Sequence, residues 1–249
     1  MVVWLAYALF FLAALIYSSV GFGGGSSYLA ILSASGVMEQ AGLKATALLC
    51  NIVVVSNGTY QYYKEGWLDL KKVAPIALCS VPMAYLGGQM KLSDAFYFNL
   101  LGAALVVSGL LLILDPRRES AWFSKQTAWF RHGFSVASGA GIGLLSGMVG
   151  IGGGIFLAPL LHLIRWDTAK SIAAMSSFFI LVNSISGLAG QLSKNANAIP
   201  WSAVAPFAAI VFVGGFIGSK LSIHLLKPLW IKRITGVLVF LVGLEILLK

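Results

Sequence analysis

The pentapeptide Gly21-Phe22-Gly23-Gly24-Gly25 returns 129 residues later as Gly150-Ile151-Gly152-Gly153-Gly154, each time preceded by Val. With small shifts the two copies stay in step along the rest of the chain. Lys44 and Asn57 stand 126 residues before Lys170 and Asn183, and Pro75, Gly87 and Met90 stand 131 before Pro206, Gly218 and Leu221. Gly102 and Gly109 stand 134 before Gly236 and Gly243. A repeat that fills the chain restricts the fold to two copies of one unit, the organisation of duplicated membrane transporters.

Composition puts that duplication in a bilayer. Charged residues make up 10% of the chain and apolar residues 59%, and the mean hydropathy is +0.90. A soluble core has no use for so much apolar sequence, whereas a spanning helix needs about 20 such residues. The expected fold is an all-α polytopic membrane protein of ten helical segments, five to a repeat. In the first repeat, residues 1–114, they cover 4–20, 25–37, 44–63, 72–90 and 95–114. In the second, residues 132–249, they cover 132–149, 154–165, 169–191, 201–221 and 230–248. Residues 115–131 form the one long polar connection, read as a cytoplasmic linker with Trp122 and Trp129 at the interface.

The second segment of each repeat is short, 13 and 12 residues, and rises only about 18–20 Å at 1.5 Å per residue. A Gly-x-Gly-Gly-Gly run breaks a helix and frees backbone groups that lipid does not satisfy, so it belongs inside protein or against a watery cavity. The first two segments of each repeat therefore read as a helical hairpin tipped by glycines.

Charge supplies the topology. If each hairpin returns to the side it left and the Lys64, Lys71, Lys72 loop is cytoplasmic, 13 of the 17 basic residues fall inside. Only Lys44, Lys91, Lys194 and Lys249 fall outside. This positive-inside bias accounts for the net charge of +9 without nucleic acid. Each half then makes an odd number of crossings, and the repeats are inverted. Met1 to Tyr17 has no basic residue and reads as mature protein rather than a secretion signal. Cys50 and Cys79 lack metal-ligand spacing and read as buried small residues.

In an inverted pair the half-helix N-termini converge, each with free backbone N–H groups and the positive end of a helix dipole. Those ends are Gly23, Gly24, Gly25, Ser26 and Ser27 in one repeat and Gly152, Gly153 and Gly154 in the other. The arrangement suits a small anion. It does not suit a nucleotide, because no Gly-Lys-Ser or Gly-Lys-Thr follows either run and no strand precedes it. Close helix packing is the alternative role for such glycines. In the third segments Thr46, Cys50, Asn57 and Gln61 share one face, as do Ser176, Asn183 and Gln191. Asn57 and Asn183, with Ser176 and Ser177, are candidate donors to the anion or, equally, helix-joining groups. No Asp or Glu lies in the middle of a segment, which argues against a midplane carboxylate relay. His132, His162 and His224 stand near segment ends and read as interfacial, and Lys44 and Lys170 as residues that snorkel.

The paired Gly-x-Gly-Gly-Gly, with Pro159 five residues after Gly154 and Asn183 in the next helix, resembles the TauE/SafE family of sulfite and organosulfonate exporters. The likeness covers nearly the whole chain; Ala30 stands where Pro159 has its first-repeat equivalent. It implies a secondary transporter of small sulfur-containing anions in a prokaryotic inner membrane, alternating access around a central site, with no cofactor and no catalytic residues. The partners expected are the anionic substrate and membrane lipid, not nucleic acid, with a homodimer left open. A passive anion channel is the alternative and needs a continuous pore. A membrane enzyme ranks below both, since no nucleophile, base and metal set holds together.

Overall fold

The computed structural model describes residues 2–36, 40–90, 95–114, 127–149, 152–193 and 201–248. They form helices and no strand. The order is α1 Val2–Ser18, α2 Gly25–Ser35, α3 Gln40–Lys64, α4 Leu70–Gln89 and α5 Ala95–Leu114, then α6 Ala128–Val149, α7 Gly154–Leu163, α8 Ala169–Leu192, α9 Trp201–His224 and α10 Pro228–Leu247. All ten expected segments are helices. Of the expected linker, residues 115–126 lie outside those described, as do Gly150, Ile151, Lys91, Lys194 and Lys249, and its last four residues already belong to α6.

Local chemistry sets the boundaries. The Asp69 carboxylate accepts from the Lys71 N–H at the start of α4, and the Thr168 hydroxyl from the Ser171 N–H at the start of α8. Pro228 opens α10, where its missing N–H costs nothing. Beyond α3, Gly66 takes φ +74° and the Trp67 N–H returns to the Tyr62 carbonyl. The short helices end alike. Gly36 after α2 has φ +61° and Arg165 after α7 has φ +52°, and the two positions are 129 apart, as the glycine runs are.

Small residues hold the helices together. Gly139, Gly143 and Gly147 of α6 lie directly against the backbone of Ile76, Ser80 and Ala84 of α4, so the two helices run parallel. Gly214 and Gly218 of α9 meet Phe11 and Leu15 of α1 in the same sense. In α5 and α10, Gly102 faces Gly243 and Gly109 faces Gly236, an antiparallel pair. Any side chain in these seams would push two backbones apart, and close approach is what glycine provides where helices associate without a hydrophobic drive. α8 packs against α4 as α3 packs against α9, while α3 and α8 cross antiparallel at the centre. Exchanging the halves turns this set of main pairings into itself.

The basic residues gather at one end. Lys72 of α4 pairs with Asp167 before α8, and Lys170 Nζ donates to the Ile223 carbonyl at 2.6 Å while sitting 5.1 Å from the Trp67 ring centre. Three loops therefore meet there, bringing Lys64, Lys71, Lys72, Arg165, Lys170, Lys220 and Lys227 to a common face. Along the flanks the exposed side chains are apolar, among them Leu5, Leu12, Leu78, Leu111 and Leu241. That outer coat is what a bilayer requires. Helices 169–192 and 204–224 are long and apolar enough to cross a membrane by length and composition.

Candidate anion site at the glycine turns

α2 and α7 both begin at a left-handed glycine. Gly24 has φ +89° and Gly153 φ +78°, and no side chain caps either helix. A residue with a Cβ is strained in that conformation, so glycine is needed at both equivalent positions. In α7 the Phe156 N–H already returns to the Gly153 carbonyl at 3.1 Å, while the N–H groups of Gly25 and Ser26 and of Gly154 and Ile155 have no acceptor earlier in their own helix. Each turn thus presents free donors at the positive end of a helix.

A crevice lies at the first turn, walled by Tyr17, Phe22, Gly23, Gly24, Gly25 and Ser26, and is closed from the second repeat by Ile155, just after the second turn, and by Ile180, which packs on Gly152 and Gly154. It encloses about 10 Å³, room for a single water. Ser27 Oγ donates to the Tyr17 hydroxyl at 2.9 Å. Ser26 Oγ and the Tyr28 hydroxyl are buried without a hydrogen bond, as are Ser146 Oγ beside Gly153 and Ser176 Oγ on α8. The wall is unequal: Ser26, Ser27 and Tyr28 are polar, whereas their counterparts 129 residues on are Ile155, Phe156 and Leu157.

Asn51 stands between the turns. Its Oδ1 lies directly against the position a Cβ would take on Gly23, its Nδ2 is 2.6 Å from the corresponding position on Gly152, and Nδ2 donates to Ser184 Oγ at 2.9 Å. Sequence reasoning missed it by following the Cys50–Asn57–Gln61 stripe, which lies on another face. A signal existed: Asn51 and Ser177 are 126 residues apart and both polar, and their helix-crossing neighbours Ser184 and Gly58 occupy equivalent positions with the same spacing. Ser177 makes the mirrored contact, pairing with Thr59 at 3.2 Å and the Val55 carbonyl at 3.2 Å.

The remaining sequence candidates lie elsewhere. Asn57 is six residues beyond Asn51, about 240° around α3 at 3.6 residues per turn. It therefore lines a separate cavity of about 760 Å³ between α3 and α9. Its Oδ1 accepts from Gln61 Nε2 at 3.0 Å and its Nδ2 is unpartnered. Asn183 donates to Ser80 Oγ at 2.9 Å and to the Phe179 carbonyl at 2.8 Å, tying α8 to α4. The structure thus brings the two glycine turns together at Asn51, puts Gly23–Ser26 in the crevice, and leaves Asn57 and Asn183 outside it. His162, expected at an interface, is buried in the last turn of α7.

A family model described as "Sulfite exporter TauE/SafE" matches residues 6–246. The "Probable membrane transporter protein y4hK" of Sinorhizobium fredii (strain NBRC 101917 / NGR234) is 36% identical over 241 residues, covering 96% of this chain and 95% of that protein. The "Probable membrane transporter protein MamO" of Paramagnetospirillum magneticum (strain ATCC 700264 / AMB-1) is 27% identical over 108 residues, covering 43% of this chain and 17% of that protein. No solved structure matches.

Proposed function

Since the chain belongs to the sulfite exporter TauE/SafE family and is an integral membrane transporter rather than an enzyme, we propose that it carries a small sulfur-containing anion, sulfite or an organosulfonate, by alternating access. The observation that carries this reading is the pair of uncapped left-handed turns at Gly24 and Gly153, brought together by Asn51, which lies against both Gly23 and Gly152. The anion would be held by the N–H groups of Gly23–Ser27 and Gly152–Gly154, by the Ser26 hydroxyl and by half-helix dipoles, with no cation in the crevice. Asn51 would set the distance between the turns. Neutral donors bind an anion weakly enough to release it.

The crevice of about 10 Å³ is too tight for such an anion, so the turns must part to admit it. Inverted repeats supply the motion. The antiparallel pairs α3–α8 and α5–α10, each joining an element to its own counterpart, support a two-fold axis in the membrane plane. Rocking one repeat against the other would open the crevice to each side in turn. The basic end would face the cytoplasm, with the chain crossing a prokaryotic inner membrane several times.

Counterflow in proteoliposomes tests the proposal: vesicles loaded with unlabelled sulfite should accumulate labelled sulfite transiently above its equilibrium level. Uptake that only ever equilibrates would indicate a channel. Absence of counterflow with sulfite, sulfate and short sulfonates alike would remove the substrate class.

A further inference from the structure

The cavity between α3 and α9 takes no part in the crevice, and its build is directional. At its basic end stand Lys64, Lys220 and His224, with Glu65 as the one acidic neighbour. Midway come Asn57, Gln61 and Tyr60 beside Phe216, Ile223 lies at the basic end next to His224, and toward the middle of the two helices the lining is Ile52, Val53, Ser56 and Phe212. From Lys64 to Ile52 is twelve residues, about 18 Å along the helix. The cavity also opens sideways: Tyr60 is 64% exposed and Phe212 51%.

The equivalent seam in the other half is closed. Where α3 has Tyr60, Gln61 and Lys64, α8 has Ser186, Gly187 and Gly190, each 126 residues on. Ser186 Oγ donates to the Val81 carbonyl at 2.6 Å, and Gly187 and Gly190 lie against the backbones of Gly88 and Tyr85 of α4. The open seam is therefore written into the sequence by three large side chains and is not a packing defect. Gln61 braces it, donating to Asn57 Oδ1 at 3.0 Å and to the Phe216 carbonyl at 3.4 Å. This leaves the Asn57 Nδ2 hydrogens free and buried.

We propose that the α3–α9 groove binds an anionic phospholipid from the bilayer. The phosphate sits between Lys64 and Lys220, the ester region meets Asn57 Nδ2 and Tyr60, and one acyl chain lies along Val53 and Phe212. The order cation, amide, hydrocarbon is the order of a phospholipid from head to tail, and lateral opening admits a chain that an end-on pore would exclude. Lys220 lies over the Phe216 ring, 4.4 Å from its centre, so its charge is held at the groove. Basic pockets between helices at one membrane face recruit acidic headgroups, at about 1 kcal/mol or roughly fivefold per charge.

The test compares delipidated protein titrated with phosphatidylglycerol, phosphatidylcholine or inorganic phosphate, read by native mass spectrometry and thermal midpoint. Phosphatidylglycerol should be retained and raise the midpoint, phosphatidylcholine much less, and phosphate not at all. The double variant Lys64→Gln/Lys220→Gln, which alters exposed side chains only, should lose roughly 25-fold in lipid affinity. Ser56→Trp, filling the groove while keeping both lysines, should also lose the lipid. Equal binding of both lipids, or an unaffected double variant, would overturn the proposal. Protection by phosphate that survives Ser56→Trp would replace the lipid with a soluble anion. Disulfide crosslinking of Tyr60→Cys between two copies would assign the groove to a dimer interface instead.

Discussion

At the scale of single residues, the turns are defined by what cannot be placed there. A Cβ on Gly23 would collide with Asn51 Oδ1, and one on Gly24 would come within 2.9 Å of the Tyr28 ring in a backbone conformation that side chains avoid. Gly23→Ala should therefore displace Asn51 and reduce transport severely, with a loss of thermal stability. Asn51→Ala should reduce transport with a smaller stability change. In a double-mutant cycle, Asn51 and Ser184 should couple by about 0.5–1.5 kcal/mol, the net worth of one hydrogen bond. A cycle that closes to zero would show that the contact does not hold the turns. Arg165 offers an opposite test. It occupies φ +52° where the first repeat has Gly36, so Arg165→Gly should stabilise the protein by about 0.5–1 kcal/mol in thermal unfolding. The glycine positions were legible in the sequence because a broken helix in lipid leaves few other readings. Asn51 was not, because a polar stripe names a face only after its neighbour is known: α3 has polar groups on two faces, and Asn57 and Asn51 face different neighbours.

At the scale of helices, apolar segments in the sequence located all ten elements, and boundaries moved by a few residues in both directions. α3 starts at Gln40, four residues before the expected start at Lys44, and α9 runs three residues past the expected end to His224, whereas α1, α2 and α7 each end two residues early, at Ser18, Ser35 and Leu163. The seams were less legible. Gly139, Gly143 and Gly147 show a period of four, but only the fold identifies α4 as the partner. The α5–α10 seam gives a direct prediction. A side chain on Gly109 would lie 2.6 Å from the Phe240 nitrogen and 2.7 Å from the Gly236 carbonyl oxygen, both backbone atoms that cannot yield cheaply. Gly109→Val should destabilise by about 1–3 kcal/mol, and its counterpart Gly243→Val by a similar amount, in detergent melts. Gly133→Val, with nothing within 4 Å, should be nearly silent. Similar effects at all three positions would mean helix propensity, not the seam, decides the cost.

At the scale of the whole molecule, the proposed inverted topology fixes which surfaces share a side. Gly66 follows α3 at the basic end and Gly133 lies near the start of α6, parallel to α4 and so at that same end; Gly36 ends α2 near the opposite end. In a Cys79→Ser background, cysteines at positions 66 and 133 should react with a membrane-impermeant thiol reagent only from the cytoplasm, and one at position 36 only from outside. Labelling of all three from one side would contradict the topology. If backbone N–H groups of the two turns hold the anion as proposed, amide NMR of glycine-labelled protein titrated with sulfite will register it at those residues. Saturable shifts of Gly23, Gly24, Gly25, Gly152, Gly153 and Gly154 together are expected, with Gly66 and Gly133 unmoved. Shifts confined to loop glycines, or binding of sulfite with all six turn amides unchanged, would contradict it.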